Sequence, residues 1–321
     1  MRAATEDWVS AYLYYAEPWE RFLAGAVKPF AESTLRAGIA EQFFFIRYWE
    51  RGPHIRLRFK GKRTVLEQKL KPELLSYFLQ YFYQNPSIRK ESPSLNAERW
   101  FPNNSIQFIG YEREIARYGG PLGILIAEQQ FQASSSTVLS ILENATDWDY
   151  NLALGSAIQM HLAFAFILGM TSPVLRLFSD YISNEWISKM LAFEHNVTLE
   201  KSQERLDRIL TAFEGSFAAQ QNFLVPFHEK IWKCLVHKIE FEQEWLNHWI
   251  IQMKGVASQL KEAHEKGTLI LPKAAGLQPE TELWPVLESF VHMTNNRLGV
   301  LNQDEAYLGY LVRRTIESLH K

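Results

Sequence analysis

The greatest concentration of chemically capable side chains lies in one short stretch, FFFIRYWERGPHIRLRFKG (43–61), where Arg47, Arg51, His54, Arg56, Arg58 and Lys60 stand among aromatic and branched residues. A guanidinium is a planar fork that makes two parallel charge-assisted bonds to a carboxylate, a recognition that lysine's point charge does not reproduce. If HIRLRF is a strand, alternation puts His54, Arg56 and Arg58 on one face and Ile55, Leu57 and Phe59 on the other. With ERGP as the turn of a hairpin, Trp49 faces His54 and Arg47 faces Arg56. Opposed arginines repel, so a negative group is expected between or above them, either a carboxylate ligand or an acidic side chain. The plainer alternative is a solvated outer face with ordinary ion pairs. Arg47 and His54 are thus candidates for binding, beside Arg56 and Arg58.

Two further stretches carry charge at close spacing. In IGYEREIARYGG the run EREIAR suggests a helical turn or two with Glu114 and Arg117 on one side, ended or redirected by Gly119 and Gly120. In SFVHMTNNRLGV a helix places His292 and Asn296 on one face, with Arg297 somewhat off it. A histidine titrates near neutrality and suits proton transfer, although a structural role fits the same pattern.

The elements that position these residues follow from periodicity. WVSAYLYYAE (8–17) reads as a strand, and the helical run from Pro18 is expected to kink or divide at Pro29. EQFFFIRYW and HIRLRF form two strands, residues 63–84 a second helix containing Pro72, and SIQFIGYE (105–112) a last strand. Strand, helix, two strands, helix, strand is the order of a ferredoxin-like split β-α-β unit. Helical spacing dominates the rest. The fold class is therefore α+β, with a sheet unit over 1–118 and a mainly helical region over 119–321, packed against it as one integrated catalytic domain.

Composition narrows the functions. The chain has 321 residues, 34 basic and 36 acidic, and is 47% hydrophobic. It can fill a core, and with a pI near 6.5 it lacks the general basicity of a nucleic-acid binder. NLALGSAIQMHLAFAFILGM contains Gln159 and His161 and reads as a buried helix, so no membrane insertion is expected. The single cysteine, Cys234, is expected to be a buried hydrophobe in a reducing compartment. The histidines show no metal-ligand spacing, GGPLG lacks phosphate-cradling glycine patterns, and SSS (134–136) reads as a turn or cap. Neither metal nor cofactor is expected.

Taken together and in this order, FFFIRYWERGPHIRLRFKG, YEREIARYGG, AEQQFQASSSTVLSIL and SFVHMTNNRLGV resemble the small domain of class I lanthipeptide dehydratases and the related stand-alone thiopeptide-type bacteriocin biosynthesis proteins. The likeness spans nearly the whole chain. It implies a lyase acting on a ribosomally made precursor peptide with a leader, whose Ser or Thr hydroxyls a separate glutamyl-tRNA-dependent enzyme has esterified with glutamate; a cytoplasmic location is the expectation from the single cysteine and the lack of a membrane-spanning run. Expelling glutamate leaves dehydroalanine or dehydrobutyrine.

The resemblance matches the family's important arginines to Arg56, Arg58 and Arg117, its glutamate to Glu114 and its histidine to His292. Arg113 departs from the pattern, standing where proline is common. On this basis His292, Arg56, Arg58, Arg117 and Glu114 are the expected catalytic set, with Arg47, His54, Asn296 and Arg297 as substrate contacts. Elimination needs a base near the α-hydrogen and positive charge at the enolate and the departing carboxylate. Two alternatives remain: a formal 4+2 cycloaddition like that of pyridine synthases, and a non-catalytic peptide-binding subunit of a modification complex. A homodimer is an open arrangement.

Overall fold

The computed structural model describes residues 6–90, 100–192, 199–272, 278 and 281–319. They fall into two compact units, divided between Trp148 and Asp149. Each is held together by a different kind of packing.

In the first unit the alternating runs form β1 (Glu6–Tyr14), β2 (Gln42–Tyr48), β3 (His54–Lys62) and β4 (Ser105–Phe108). The sheet order is β2-β3-β1-β4, every neighbouring pair being antiparallel. This is the ferredoxin-like arrangement expected from the order of elements, with β3 inserted between β1 and β2. The Ile55, Leu57 and Phe59 face is fully buried. Phe59 meets Phe30 and Phe43 at ring distances of 5.8 and 6.1 Å, and Phe22, Phe78 and Phe82 extend this aromatic layer.

The helices over that face are α1 (Glu20–Phe22), α2 (Lys28–Arg36), α3 (Arg63–Val65) and α4 (Lys71–Gln84), with a π-helical turn inside each pair, Leu23–Val27 and Leu66–Leu70. Pro29 and Pro72 each follow such a turn, early in α2 and α4. Proline removes an amide and crowds the carbonyl four residues back. One wider turn lets Lys28 and Lys71 bond Leu23 and Leu66 instead, so the chain passes each proline as a π-bulge and not as a break.

A long helix, α5 (Gly120–Asn144), packs along β2 within the same unit. Gln132 Oε1 and Ser135 Oγ accept from the backbone amides of Phe43 and Phe45 at 3.2 and 3.1 Å, and Gln42 Nε2 donates to the Glu128 carbonyl at 2.6 Å. Side chains of a helix thereby satisfy an outer strand that has no further strand to pair with. Ser134 and Ser135 belong to the helix interior, contrary to the expectation of a turn or cap; Ser134 Oγ returns its proton to the Gln130 carbonyl, which removes the cost of a hydroxyl inside a helix.

The second unit comprises α6 (Tyr150–Ile167), α7 (Ser172–Ala192), α8 (Leu199–His237), α9 (Glu244–Glu265), α10 (Trp284–Leu298) and α11 (Asn302–Leu319). α6 is apolar enough to cross a membrane by length and composition, yet it lies mostly inside the unit, with Trp249 Nε1 donating to its Met160 carbonyl at 3.0 Å. An all-round apolar helix of this kind is a core element. Cys234, expected to be buried, is half-exposed on α8. α10 ends at Gly299, whose φ of 83° lets Val300 bond back to the Asn295 carbonyl, closing the helix just after His292 and its neighbours.

α11 packs closely on α7. A β-carbon at Gly309 would lie 2.7 Å from the Ser179 carbonyl oxygen and 3.0 Å from the Ser183 amide, so only glycine permits the crossing. Gly309→Ala is expected to force the helices apart and to cost about 1–3 kcal/mol of stability, read as a lower urea midpoint for the transition of this unit. An unchanged midpoint would mean that the crossing yields freely.

Candidate active site

The sheet face opposite the helices α1–α4 is built around β3. Its register sets Tyr14 and Tyr48 beside His54, Tyr12 and Ile46 beside Arg56, and Ser10 and Phe44 beside Arg58. His54, Arg56 and Arg58 therefore share one face, as alternation requires.

Arg47 does not join them. It pairs with Ile55, because Tyr48 and not Trp49 is opposite His54; the connection takes in Trp49 as well as the turn residues ERGP, with Arg51 and Gly52 at φ of 57° and 110°. A register displaced by one residue turns each side chain to the other face. Arg47 is consequently buried on the helical side, where Nη1 bonds Glu20 Oε1 at 2.6 Å. Burial lowers its pKa, and Glu20 opposes that effect.

His54 is completely buried. Its Nδ1 lies 2.8 Å from the Gly52 carbonyl and its Nε2 3.2 Å from Arg56 Nε. The carbonyl must accept and the guanidinium must donate, so the ring is a neutral Nδ1–H tautomer. Burial, with Arg56 nearby, pushes its pKa down to about 4. This residue orients Arg56. The Arg56 guanidinium also lies over Tyr48 at 3.5 Å and Tyr12 at 4.5 Å, and Nη2 bonds the exposed Glu50 at 2.9 Å.

Arg58 has a different balance. It is 6% exposed, with its guanidinium 4.2 Å from the Tyr111 ring centre and 5.2 Å from that of Phe44. Nε donates to Ser10 Oγ at 3.4 Å, and the Tyr12 side chain supplies another hydrogen bond. Among the described residues no carboxylate lies within 4.0 Å of it. Burial lowers its pKa, and the neighbouring tyrosines partly offset this. A nearly dry cation supported by ring faces and hydroxyls is suited to receive an anion.

The segment after β4 borders this cage. Residues 115–119 form a turn and not the expected helical run, closed by the Gly120 amide on the Ile115 carbonyl at 2.9 Å. Arg113 makes a two-pronged contact with the buried Glu128 at 2.6 and 2.9 Å. Its departure from proline thus supplies the cation that this carboxylate needs. Glu114 and Arg117 pair at 3.0 Å with side-chain exposures of 61% and 34%, so water screens the pair. Arg117 is linked to the cage through rings: it stands over Tyr118, which meets Phe131, which meets Phe44.

His292 lies in the second unit, on α10. Its Nδ1 is 2.7 Å from Glu305 Oε1 on α11. Asn295 Nδ2 donates to Glu305 Oε2 at 3.1 Å, and Asn295 Oδ1 is 2.8 Å from His161 Nε2. Burial raises the Glu305 pKa, opposed by His292 and Asn295. Trp186 packs on the His292 ring at 4.9 Å, and Lys189 sits over Trp186 while pairing with Glu288. A cavity of about 30 Å³ is bordered by His161, Asn295 and Glu305 together with Phe164, Phe178 and Leu308; that volume holds a water molecule or two. Asn296 is half-buried, whereas Arg297 is completely buried and donates to the Met293 carbonyl of its own helix at 2.7 Å.

Sequence reasoning passed over Tyr12, Tyr111, Asn295 and Glu305, and read His161 only as part of a buried helix. Alternation in WVSAYLYY places Trp8, Ser10, Tyr12 and Tyr14 on one face, which was a usable signal. Glu305 also left one: it occupies the apolar register of α11 with Leu308, Gly309 and Val312, where an acid needs a partner.

His161 and His228, like His54, have pKa values pressed to about 4 by burial. Unfolding returns them to about 6.5. Between these values the unfolded chain binds more protons, so stability is full above about pH 6.5 and falls toward pH 4, by up to about 1.4 kcal/mol per pH unit for each histidine. Urea midpoints measured across this range should decline on acidification, and His228→Gln should flatten the slope for the second unit. An unchanged slope would contradict the assignment of a neutral buried ring.

The family described as lantibiotic biosynthesis dehydratase C-term matches residues 8–316. Over 141 residues, 43% of this chain, the sequence is 33% identical to the subtilin biosynthesis protein SpaB of Bacillus subtilis, and the match spans only 12% of that protein. The fold is similar to that of TbtD, the pyridine synthase from thiomuracin biosynthesis, with a TM-score of 0.76 at 15% identity, covering 98% of this chain and 99% of the other. TsrL is similar at a TM-score of 0.66 and 16% identity, over 98% and 96% of the two chains. The tRNA-dependent lantibiotic dehydratase MibB from Microbispora sp. 107891 gives 0.63 at 19% identity, covering all 100% of this chain and 29% of its own. These structural likenesses concern the fold, while the family match runs through both the arginine strand and the histidine helix: the chain belongs to the lantibiotic biosynthesis dehydratase C-term family.

Proposed function

We propose that this protein eliminates glutamate from glutamylated Ser or Thr residues of a ribosomally made precursor peptide, leaving dehydroalanine or dehydrobutyrine. A separate glutamyl-tRNA-dependent enzyme forms the ester in the cytoplasm, so this chain needs no nucleic-acid site of its own. The observation that carries the reading is Arg58, a nearly buried guanidinium among Ser10, Tyr12, Phe44 and Tyr111 with no carboxylate partner among the described residues.

In the reaction the α-hydrogen leaves as a proton, its electrons form the Cα–Cβ double bond, and the Cβ–O bond breaks with its pair going to the departing glutamate. One new carboxylate results. Arg58 and Arg56 stabilise glutamate carboxylates and the charge that develops on the departing oxygen, with His54 and Tyr12 holding the guanidinium planes. Arg117, steadied by Glu114, contributes a more exposed positive charge. His292 accepts the α-proton, a role suited to a ring with a carboxylate partner behind it. Asn296 is assigned to the peptide. Arg47 and Arg297 act as buried structural cations and not as substrate contacts.

A second reading has an observation of its own, the near-complete coverage of the pyridine synthase chain. Under it the substrate is a peptide already carrying two dehydroalanines, joined by cycloaddition.

Incubating the purified protein with a synthetic glutamylated peptide separates these readings. Mass spectrometry should show loss of glutamate and an alkene that adds a thiol. Arg58→Lys keeps the charge but loses the fork, and the rate should drop by about 10²–10³-fold, the range for losing one transition-state donor. An ester left intact by the wild-type protein, with consumption of a doubly dehydrated peptide instead, would overturn elimination in favour of cycloaddition.

A further inference from the structure

The bonds around Glu305 have a direction. Asn295 Nδ2 donates to Glu305 Oε2, which turns Asn295 Oδ1 toward His161 and requires His161 Nε2 to carry a hydrogen. His161 is neutral at pH 7, burial having lowered its pKa to about 4, so its proton sits on Nε2 and its Nδ1 is bare. On the other side Glu305 Oε1 faces His292 Nδ1 at 2.7 Å. The carboxylate has no exposed side-chain surface and receives donors at both oxygens.

From this arrangement we infer that Glu305, clamped by Asn295 and His161, is a positioning residue that holds His292 as its Nδ1–H tautomer, so that Nε2 is the atom available for proton transfer. The inference rests on the proposed role of His292 as the proton acceptor. It adds which nitrogen works and what fixes it. Trp186 restrains the ring plane from the side, while Glu305 holds the ring against a half-turn about Cβ–Cγ, because a flipped ring would put a carbon against the carboxylate. Gly309, one turn after Glu305, sets how closely α11 can approach α7 and hence where this carboxylate stands.

The geometry also dictates what a neutral isostere does. Glutamine at this position offers one acceptor and one donor, and cannot accept from both His292 and Asn295. Either the His292 proton moves to Nε2, or the Asn295 amide reverses and the His161 proton moves to Nδ1. One of two rings must change tautomer.

The test is ¹⁵N NMR of the imidazole nitrogens in the full chain, with His292→Gln and His161→Gln used to assign the signals. In the pH range where both rings are neutral, the wild-type protein should show His292 protonated at Nδ1 and bare at Nε2, and His161 the reverse. Glu305→Gln should shift the proton in one of these rings and reduce kcat for glutamate elimination by up to about 10⁴-fold, the effect of a wrong tautomer beside a lost orienting carboxylate, with KM within about threefold. Glu305→Asp should restore the wild-type tautomers and part of the rate. A wild-type His292 bare at Nδ1 overturns the inference, as do unchanged tautomers in Glu305→Gln; the wild-type spectrum decides by itself if that variant does not fold. Expected tautomers in a protein that releases no glutamate would refute the elimination reading while leaving the positioning role intact.

Discussion

The Arg58 guanidinium, nearly dry and lacking an anionic partner among the described residues, is the interaction on which the functional account of the first unit depends. A cation removed from water is expensive unless something replaces its hydration. Here part of the replacement comes from the negative faces of Tyr111 and Phe44 and from the Ser10 and Tyr12 oxygens. The sheet makes this possible. β3 lies between β1 and β2, so each charged residue on its face has neighbours on two sides. The opposite face of β3 is anchored by Ile55, Leu57 and Phe59, all fully buried. Rotating the strand to expose Arg58 would bring those side chains into water, at about 1.5–3 kcal/mol each.

The second unit uses its buried polar groups differently. Glu305 is buried and paired, and Asn295 and His161 extend its hydrogen bonds into the core. Such a network favours one arrangement because a half-satisfied version leaves several polar groups dry. Its function is geometric: His292 has one nitrogen committed to the carboxylate. The first unit thus holds a nearly dry cation on a sheet, and the second a histidine oriented by a buried carboxylate on a helix pair.

Much of this was legible in the sequence. The order of aromatic and branched runs predicted the ferredoxin-like unit, and alternation in HIRLRF predicted the shared face of His54, Arg56 and Arg58. The hairpin register was not legible, because FFFI (43–46) is apolar at four successive positions and does not fix the phase; Arg47 was therefore expected on the wrong side. Pro29 signalled an interruption, whereas residues 63–84 were read as one helix containing Pro72, and a proline does not reveal whether a helix breaks or bulges. The amide partner of His292 was sought at Asn296, by i, i+4 spacing. The partner Glu305 lies on another helix, and its choice of Asn295 comes from packing that local periodicity does not encode.

The most direct measurement of the central claim is the affinity for a peptide in which the glutamyl ester is replaced by an amide, a stable analogue that cannot readily be eliminated. Titration calorimetry should show binding to the wild-type protein, with Arg58→Lys weakening it by at least about tenfold through loss of the bidentate contact. Equal affinity for the two proteins, measured with the variant shown to be folded, would contradict the assignment of Arg58 as the receptor for the glutamate carboxylate.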